Sequence, residues 1–458
     1  MLIAWFIFLA YTLFALYDIK KAIIIWIPAH VLTNPQIALK YSPPAVSLSI
    51  AITSMLCVVF LFKYFGYRRH RKLNNEEFVL KPVFFLMIFS YAVSYILTIA
   101  SLKTAFNLTV RYFLEGFVLL YTFQRCLNDK EDMRLFIKTT FIIVLLITGY
   151  GIYEFITLDN PVLDYVYYNS PHNAYTEGRL AYFPGFHRLR YGLPRCYSFF
   201  PLHLRFGAAC VFFMLFIGVM YKKYVNIIKK EYILIGIFLL ILGVFAANSK
   251  QGMVGLVVIS LCFFKPSRFL NYRFFLIVAF IGVLWWQYPT IFNNLFSLFD
   301  DELAEQGSGS TVAMRRQQYA VAWEMFQMNP IFGNGPGTLG TLKRMEISYE
   351  AIRGAESVFL SLLPERGLIG ALVYIFMYIY LFYALRNKMP VRILLFYLLT
   401  VFVIEVAGGR KDITLYWGVL IATARYFQLF GKSENKDATL DVQGSSQIVE
   451  TQEKVYLR

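Results

Sequence analysis

The stretch RRQQYAVAWEMFQMNPIFGNGPGTLG (315–340), then a charged link, then AESVFLSLLPERGLIG (355–370) runs directly into the uncharged segment ALVYIFMYIYLFYAL (371–385). The last part, read from 367 to 385, is long and apolar enough to cross about 30 Å of hydrocarbon. What precedes it is different: arginines, a glycine-rich turn and a carboxylate stand where a membrane protein needs only a short connection. Long loops are seldom kept without work to do. The fold and the chemistry are both read outward from this junction.

Around it the chain is apolar throughout. Of its 458 residues 58% are hydrophobic and 18% aromatic, which excludes a soluble domain with a polar coat and specifies an all-α integral membrane protein. Apolar runs recur at roughly 44–62, 83–102, 105–125, 135–157, 200–220, 232–248, 274–289, 367–385, 391–407 and 413–430. Residues 251–264 form a shorter candidate, and 1–33 is either one broken span or a hairpin interrupted by Asp18, Lys20 and Lys21. The expected architecture is a single polytopic domain over 1–430 with about 12 or 13 transmembrane helices, followed by a polar tail, 431–458, of disordered composition. The apolar N-terminus lacks a basic leader and a small-residue cleavage site and reads as an uncleaved first span. Cys57, Cys126, Cys196, Cys210 and Cys262 are scattered, most of them within apolar runs, and imply no disulfide framework.

The net charge of +16 is not spread as a nucleic-acid surface would spread it. Lys63, Arg68, Arg69, Arg71, Lys72 and Lys81 crowd one loop, Lys222, Lys223, Lys229 and Lys230 another, and Lys265 to Arg273 and Arg386 to Arg392 fill two more. Every second loop is basic, so the positive-inside rule assigns these to the cytoplasm. Alternation then puts two long loops on the external face, about 158–199 and 290–366.

The first external loop contains His172, Arg179, His187, Arg188, Arg190 and Arg195, with His203 and Arg205 just inside the next span. Arginine is disfavoured on the translocated side unless it meets an anion. Either these residues bind an anionic ligand, or they pair with Asp159, Asp164 and Glu177 or with lipid headgroups. The second loop passes the acidic LFDDELAEQ (298–306) and turns helical from about Val312 to Met328, where Asn329-Pro330 stops it. Arg315, Tyr319, Ala322, Trp323 and Phe326 follow three-and-four spacing, an aromatic stripe headed by arginine, which equally describes a helix lying on the membrane with Arg315 and Arg316 on phosphates. Glycines at 333, 335, 337 and 340 either form a plain tight turn or let backbone amides approach a ligand, as phosphate-cradling turns do; the Lys-Ser/Thr of a nucleotide P-loop does not follow. Glu356 and Ser357 open the next helix. Ser357 suits a cap, and Glu356 is either a helix-dipole partner or a general base at the mouth of a membrane cavity. Asp300-Asp301 finds no further ligand at metal spacing, so no metal site is expected.

These residues together resemble the signature region of the O-antigen ligase and polymerase superfamily: Arg315 with an aromatic four residues on, AWEMFQMNPIFGNGPGT, then a polar pair leading into FLSLLPERGLIGALVY, within 310–372. The resemblance implies a C-type glycosyltransferase fold in the bacterial inner membrane, with two large periplasmic loops and an active site facing the periplasm. It further implies a donor glycan carried on undecaprenyl pyrophosphate and a glycan or glycolipid acceptor, among membrane lipids and without nucleic acid. Arg195 in PRCYSFFPLHLRFGAA (194–209) stands where such proteins carry an arginine, and Lys250 in SKQG (249–252) replaces the arginine of a Ser-Arg step. Lipid A core ligases usually show His-Asn or His-Ser where this chain has Glu356-Ser357, so glutamate looks more like the polymerase branch.

The implied reaction is metal-independent, inverting displacement at an anomeric carbon. Arg195, Arg315 and Glu356 are the expected catalytic residues, with Arg190, Arg205, Lys250, Arg316, Gly335, Gly337 and Ser357 as expected substrate-binding residues; no cofactor is implied. Arginine suits a pyrophosphate because its planar fork donates two hydrogen bonds and stays charged. The rival from another class, a transporter or flippase of an anionic glycolipid, calls for charge along mid-span surfaces and internal repeats. Here the polar residues collect in two loops.

Overall fold

In a computed structural model the described residues are 2–33, 37–40, 46–66, 76–98, 102–169, 189–190, 192–222, 225–263, 312–338, 357–408 and 413–431, with single helical positions at 286, 293 and 302. They form an all-α, multi-pass membrane protein. The helices are α1 (Leu2–Tyr17), α2 (Ile19–Ala29), α3 (Leu48–Gly66), α4 (Lys81–Tyr95), α5 (Leu102–Phe113), α6 (Leu119–Cys126), α7 (Lys130–Thr157) and α8 (Pro161–Asn169). They continue as α9 (His203–Lys222), α10 (Lys230–Ala247), α11 (Lys250–Phe263), α12 (Val312–Met328), α13 (Val358–Leu385), α14 (Val391–Gly408) and α15 (Ile413–Phe430). Two small hairpins lie in the connections, β1 (Ala38–Lys40) with β2 (Val46–Ser47) and β3 (Leu189–Arg190) with β4 (Leu193–Pro194). Among the described residues five helices, α7, α9, α10, α13 and α14, are long and apolar enough to cross a membrane.

Helix α9 is the axis of the bundle. Its apolar window is 83% buried, against 39–50% for the other four, because α7, α10, α11, α14 and α15 pack around it. Its neighbours leave their remaining faces, rich in exposed Ile, Leu and Phe, for lipid. The segment 1–33 resolves as two packed helices: Asp18 caps α2 by accepting from the Lys21 amide, and Tyr11 donates to Ala22 O at 2.7 Å.

One end of the bundle is tied by charge. Asp129 and Asp132 form a capping box at the start of α7, and Lys20 Nζ reaches Asp132 at 2.6 Å. Glu76 takes Lys388 Nζ and Arg425 Nη1, each at 3.0 Å, while Arg425 Nε donates to Leu127 O. One carboxylate thereby joins the connection before α4 to the α13–α14 turn, the end of α15 and the α6–α7 turn. Burial alone would raise the Glu76 carboxyl, but hydrogen bonds from Lys388 and Gln428 and the charges of Lys388 and Arg425 hold it below its ordinary value. The opposite end holds Arg195, Lys250 and Ser357 among the residues singled out from the sequence.

Two local readings change in the structure. The span read from 367 begins earlier, at Val358, and is interrupted at Gly367, whose φ of 59° and ψ of −157° break the helix two turns in. In α12 the buried face is Gln318, Ala322 and Met325, whereas Tyr319 and Trp323 are exposed. The face that α12 packs on α13 is therefore offset from the aromatic stripe, because small and flexible side chains allow the closer approach.

Candidate functional site

A cavity of about 320 Å³ opens at this second end, between α2, α3, α5, α9 and α15, and its polar wall is His30, Arg111, Glu115 and Arg205. Arg205 comes from the first turn of α9. Arg111 and Glu115 come from α5 and a π turn, Leu114–Val118, that joins it to α6. A π turn inserts one residue into the helical ladder, and such turns gather at functional sites. The pair is an i,i+4 ion pair, Arg111 Nε to Glu115 Oε2 at 3.2 Å. The widened turn is held from outside, Thr414 Oγ1 donating to the Glu115 carbonyl at 2.9 Å.

Arg195 lies on the extended segment that runs from β4 into α9, five residues before the cavity-lining Phe200, and is buried, 8% exposed. The segment is fixed at three points. Glu154, near the end of α7, accepts the amides of Tyr197 and Ser198 on one oxygen at 2.9 and 2.7 Å. The Cys196 amide donates to Ala246 O at 3.0 Å, and Asn248 Nδ2 donates to Leu193 O at 3.4 Å. These bonds bring Arg195 to the α10–α11 turn, where Lys250 opens α11 and is 9% exposed. Phe200 and Pro201, between Arg195 and Arg205, line the cavity itself. Buried Arg195 and Lys250 and half-buried Arg205 thus stand toward one end of an apolar bundle, where ionisable groups are costly and mark ligand sites.

The glycine-rich turn does a different job from the one its composition suggests. The break in α13 at Pro364 to Gly367 frees carbonyls and amides that cannot be left bare in a membrane domain. The turn answers them: the amides of Asn334 and Gly335 donate to Pro364 O and Glu365 O at 2.8 and 3.0 Å, and those of Leu368 and Ile369 donate to Pro330 O and Ile331 O at 2.8 and 3.2 Å. Asn334 Nδ2 adds bonds to Met325 O and Pro364 O. Gly335 has a φ of 91°, and a Cβ there would overlap the Thr98 backbone beyond α4. The turn is a plug that satisfies the broken helix and sets α12 against α13.

The residues expected from the sequence fall into three groups. Arg195, Arg205 and Lys250 gather at the polar corner. Ser357 caps α13, its Oγ accepting from the Phe359 amide, while Gly335 and Gly337 give their amides to Glu365, to its carbonyl and to its Oε1 respectively. Arg316 sits on α12, exposed. Glu356 and the side chains of Arg190 and Arg315 lie outside the described residues. Missed from the sequence were His30, Arg111, Glu115 and Glu154. A signal for the central pair existed: arginine and glutamate four residues apart inside an apolar run are an intramembrane ion pair in waiting. Among the described residues no three His, Cys, Asp or Glu side chains cluster as metal ligands.

The fold and its polar end define a multi-pass, all-α membrane protein with a cationic corner and a cavity at one end. Residues 235–375, from α10 into α13, match the family model described as O-antigen ligase, which supports the O-antigen ligase superfamily and a ligase- or polymerase-type membrane glycosyltransferase. The matched segment includes Lys250, Arg315, Gly335, Gly337, Glu356 and Ser357; Arg195 and most of the cavity residues precede it, and Ile413 and Thr414 follow it. No curated protein matches the chain.

Proposed function

We propose that this protein transfers an oligosaccharide or polysaccharide from undecaprenyl pyrophosphate to an acceptor hydroxyl at the external face of the bacterial inner membrane. The observation that carries the reading is the group of buried Arg195 and Lys250 with the half-buried Arg205 of the cavity, cationic groups at one end of an apolar bundle that includes a segment matching O-antigen ligases. Arg195 and Arg315 clamp the pyrophosphate, with Arg190, Arg205, Arg316 and Lys250 around them. The acceptor oxygen attacks the anomeric carbon as the bond from that carbon to the phosphate oxygen breaks, and the electron pair leaves with the lipid pyrophosphate. Glu356 takes the hydroxyl proton. Guanidinium groups stabilise the departing charge, so the step runs without a metal, and attack from the opposite face inverts the sugar.

Glutamate at 356 favours polymerisation over transfer to lipid A core. Purified protein supplied with undecaprenyl-pyrophosphate oligosaccharide tests both points. A ladder of longer lipid-linked glycans is expected, lost in Arg195→Ala and Glu356→Ala and unchanged by EDTA. Undiminished product from both variants would sink the site, and dependence on added magnesium would sink the metal-free step. A product formed only when lipid A core is added would make the protein a ligase.

A further inference from the structure

We propose that the cavity at the π turn is a subsite for a sugar ring of the glycan, and that Glu115 accepts hydrogen bonds from its hydroxyls. The inference deepens the transferase reading above and rests on it for the identity of the glycan, although its own test is binding.

One oxygen of the Glu115 carboxylate, Oε2, is held by Arg111 at 3.2 Å. The other, Oε1, is buried and has no hydrogen-bond donor among the described residues. Most buried carboxylate oxygens are satisfied, and this one belongs to a partly exposed side chain that lines the cavity, where a donor from outside the chain meets it. Its position supports that. Arg111 and Glu115 lie about 14 to 20 Å along the helix from Leu102, inside a segment whose other residues are largely apolar, and ionisable groups at such depth mark a ligand path. The wall is stiff: Thr414 holds the Glu115 carbonyl, and a Cβ on Gly116 would lie 3.1 Å from Ile413, so α15 is seated directly on the π turn.

The remaining lining decides the ligand class. An isolated anion would be attracted by Arg111 and Arg205 but repelled by Glu115. An acyl chain would bury against two guanidinium groups and a carboxylate. A polyol ring uses all of them, since each hydroxyl both donates and accepts. Ser49 and Thr414 add hydroxyls, while Trp26, Tyr112 and Phe200 supply aromatic surface on which the apolar face of a sugar stacks. At about 320 Å³ the cavity stands at the small end of ligand pockets, the size of one or two sugar rings rather than a long chain.

The test uses the whole protein in nanodiscs, probed by saturation-transfer NMR with the methyl glycosides of glucose, galactose and N-acetylglucosamine. At least one glycoside is expected to receive saturation from the wild type, and Glu115→Gln, which preserves shape, to weaken that binding about tenfold, the usual effect of losing a charge-assisted hydrogen bond. Glu76→Gln, at the opposite end of the bundle, leaves it unchanged. The charge swap Arg111→Glu with Glu115→Arg restores the ion pair without the acceptor at its original place. It should stay as weak as Glu115→Gln, whereas a purely structural pair would recover. Absence of binding to any of the three glycosides, equal binding by Glu115→Gln, or recovery in the swap each overturns the subsite. If glycoside binding depends on Glu115 while the wild type forms no transfer product, the transferase reading falls and the subsite stands. If transfer occurs, Glu115→Gln raises the KM for acceptor with kcat within about twofold, the mark of lost ground-state binding.

Discussion

Gly335→Ala tests the claim that the glycine-rich turn is a plug rather than a cradle. The native φ of 91° lies where an L side chain costs about 1–2 kcal/mol. The new methyl would also overlap the backbone of Thr98, and backbone cannot rotate out of the way. The turn must therefore withdraw from α4 and α13, taking with it the bonds from Asn334 N to Pro364 O at 2.8 Å, from Gly335 N to Glu365 O at 3.0 Å and from Gly337 N to Glu365 Oε1 at 3.1 Å. At about 1 kcal/mol each these add about 3 kcal/mol, for a total of about 4–5 kcal/mol, a large share of the stability of an ordinary domain. The assay is thermal unfolding in detergent followed by fluorescence-detected gel filtration, with Gly149→Ala as the control. Gly149 lies inside α7 with nothing within 4 Å of an added Cβ, so that change should be neutral or stabilise by up to about 1 kcal/mol. A Gly335→Ala protein as stable as Gly149→Ala would refute the plug. Wild-type stability with lost glycan transfer would return Gly335 to a ligand-binding role.

Other perturbations follow from the same contacts. Glu154→Ala strands two buried amides at Tyr197 and Ser198, a loss of about 2–5 kcal/mol, and should loosen Arg195; Glu154→Gln, which keeps an acceptor oxygen, should lose clearly less in the same unfolding assay. Ser357→Ala removes the cap of α13 for about 1 kcal/mol, and Ser357→Asp should restore it. Glu76 has a depressed folded-state pKa, so its stabilising effect is complete above the ordinary carboxylate value of 4.5 and is lost as pH falls through the lower folded value. The wild-type midpoint should therefore drop below about pH 4.5 more steeply than that of Glu76→Gln, and since Glu76 is about a third exposed the difference should be modest and shrink in salt. Equal acid profiles for the two proteins would remove Glu76 as the lock of that end.

The parts of the site that were legible in sequence are those whose chemistry is local. Arg195 stood out because arginine on the translocated side breaks the charge pattern of a membrane protein, Lys250 because it stands at the Ser-Arg step of the family the chain resembles, and Ser357 because a hydroxyl before an apolar helix is a capping signal. The glycine-rich turn was legible as a turn, and its role was not: the groups it satisfies belong to Glu365 and Pro364, and the sequence does not print which carbonyls a broken helix will release. The offset face of α12 escaped for a similar reason, since Ala322 and Gln318 are chosen by the shape of α13 and not by their own hydropathy.

What the sequence by itself determined is the class: apolar runs of spanning length, basic loops in alternation and a signature segment are local properties of the chain, and a membrane domain has little freedom to use them otherwise. Only the tertiary structure decided that α9 is the buried axis, that Glu154 of α7 holds the Arg195 segment, and that Arg111 and Glu115 of α5 and the π turn share a cavity with Arg205 of α9. Each of those is a meeting of groups far apart in the chain. Their partners are selected by which helices pack together, a consequence of side-chain shape and of the need to satisfy every buried polar group, and neither is visible in the residues taken one run at a time.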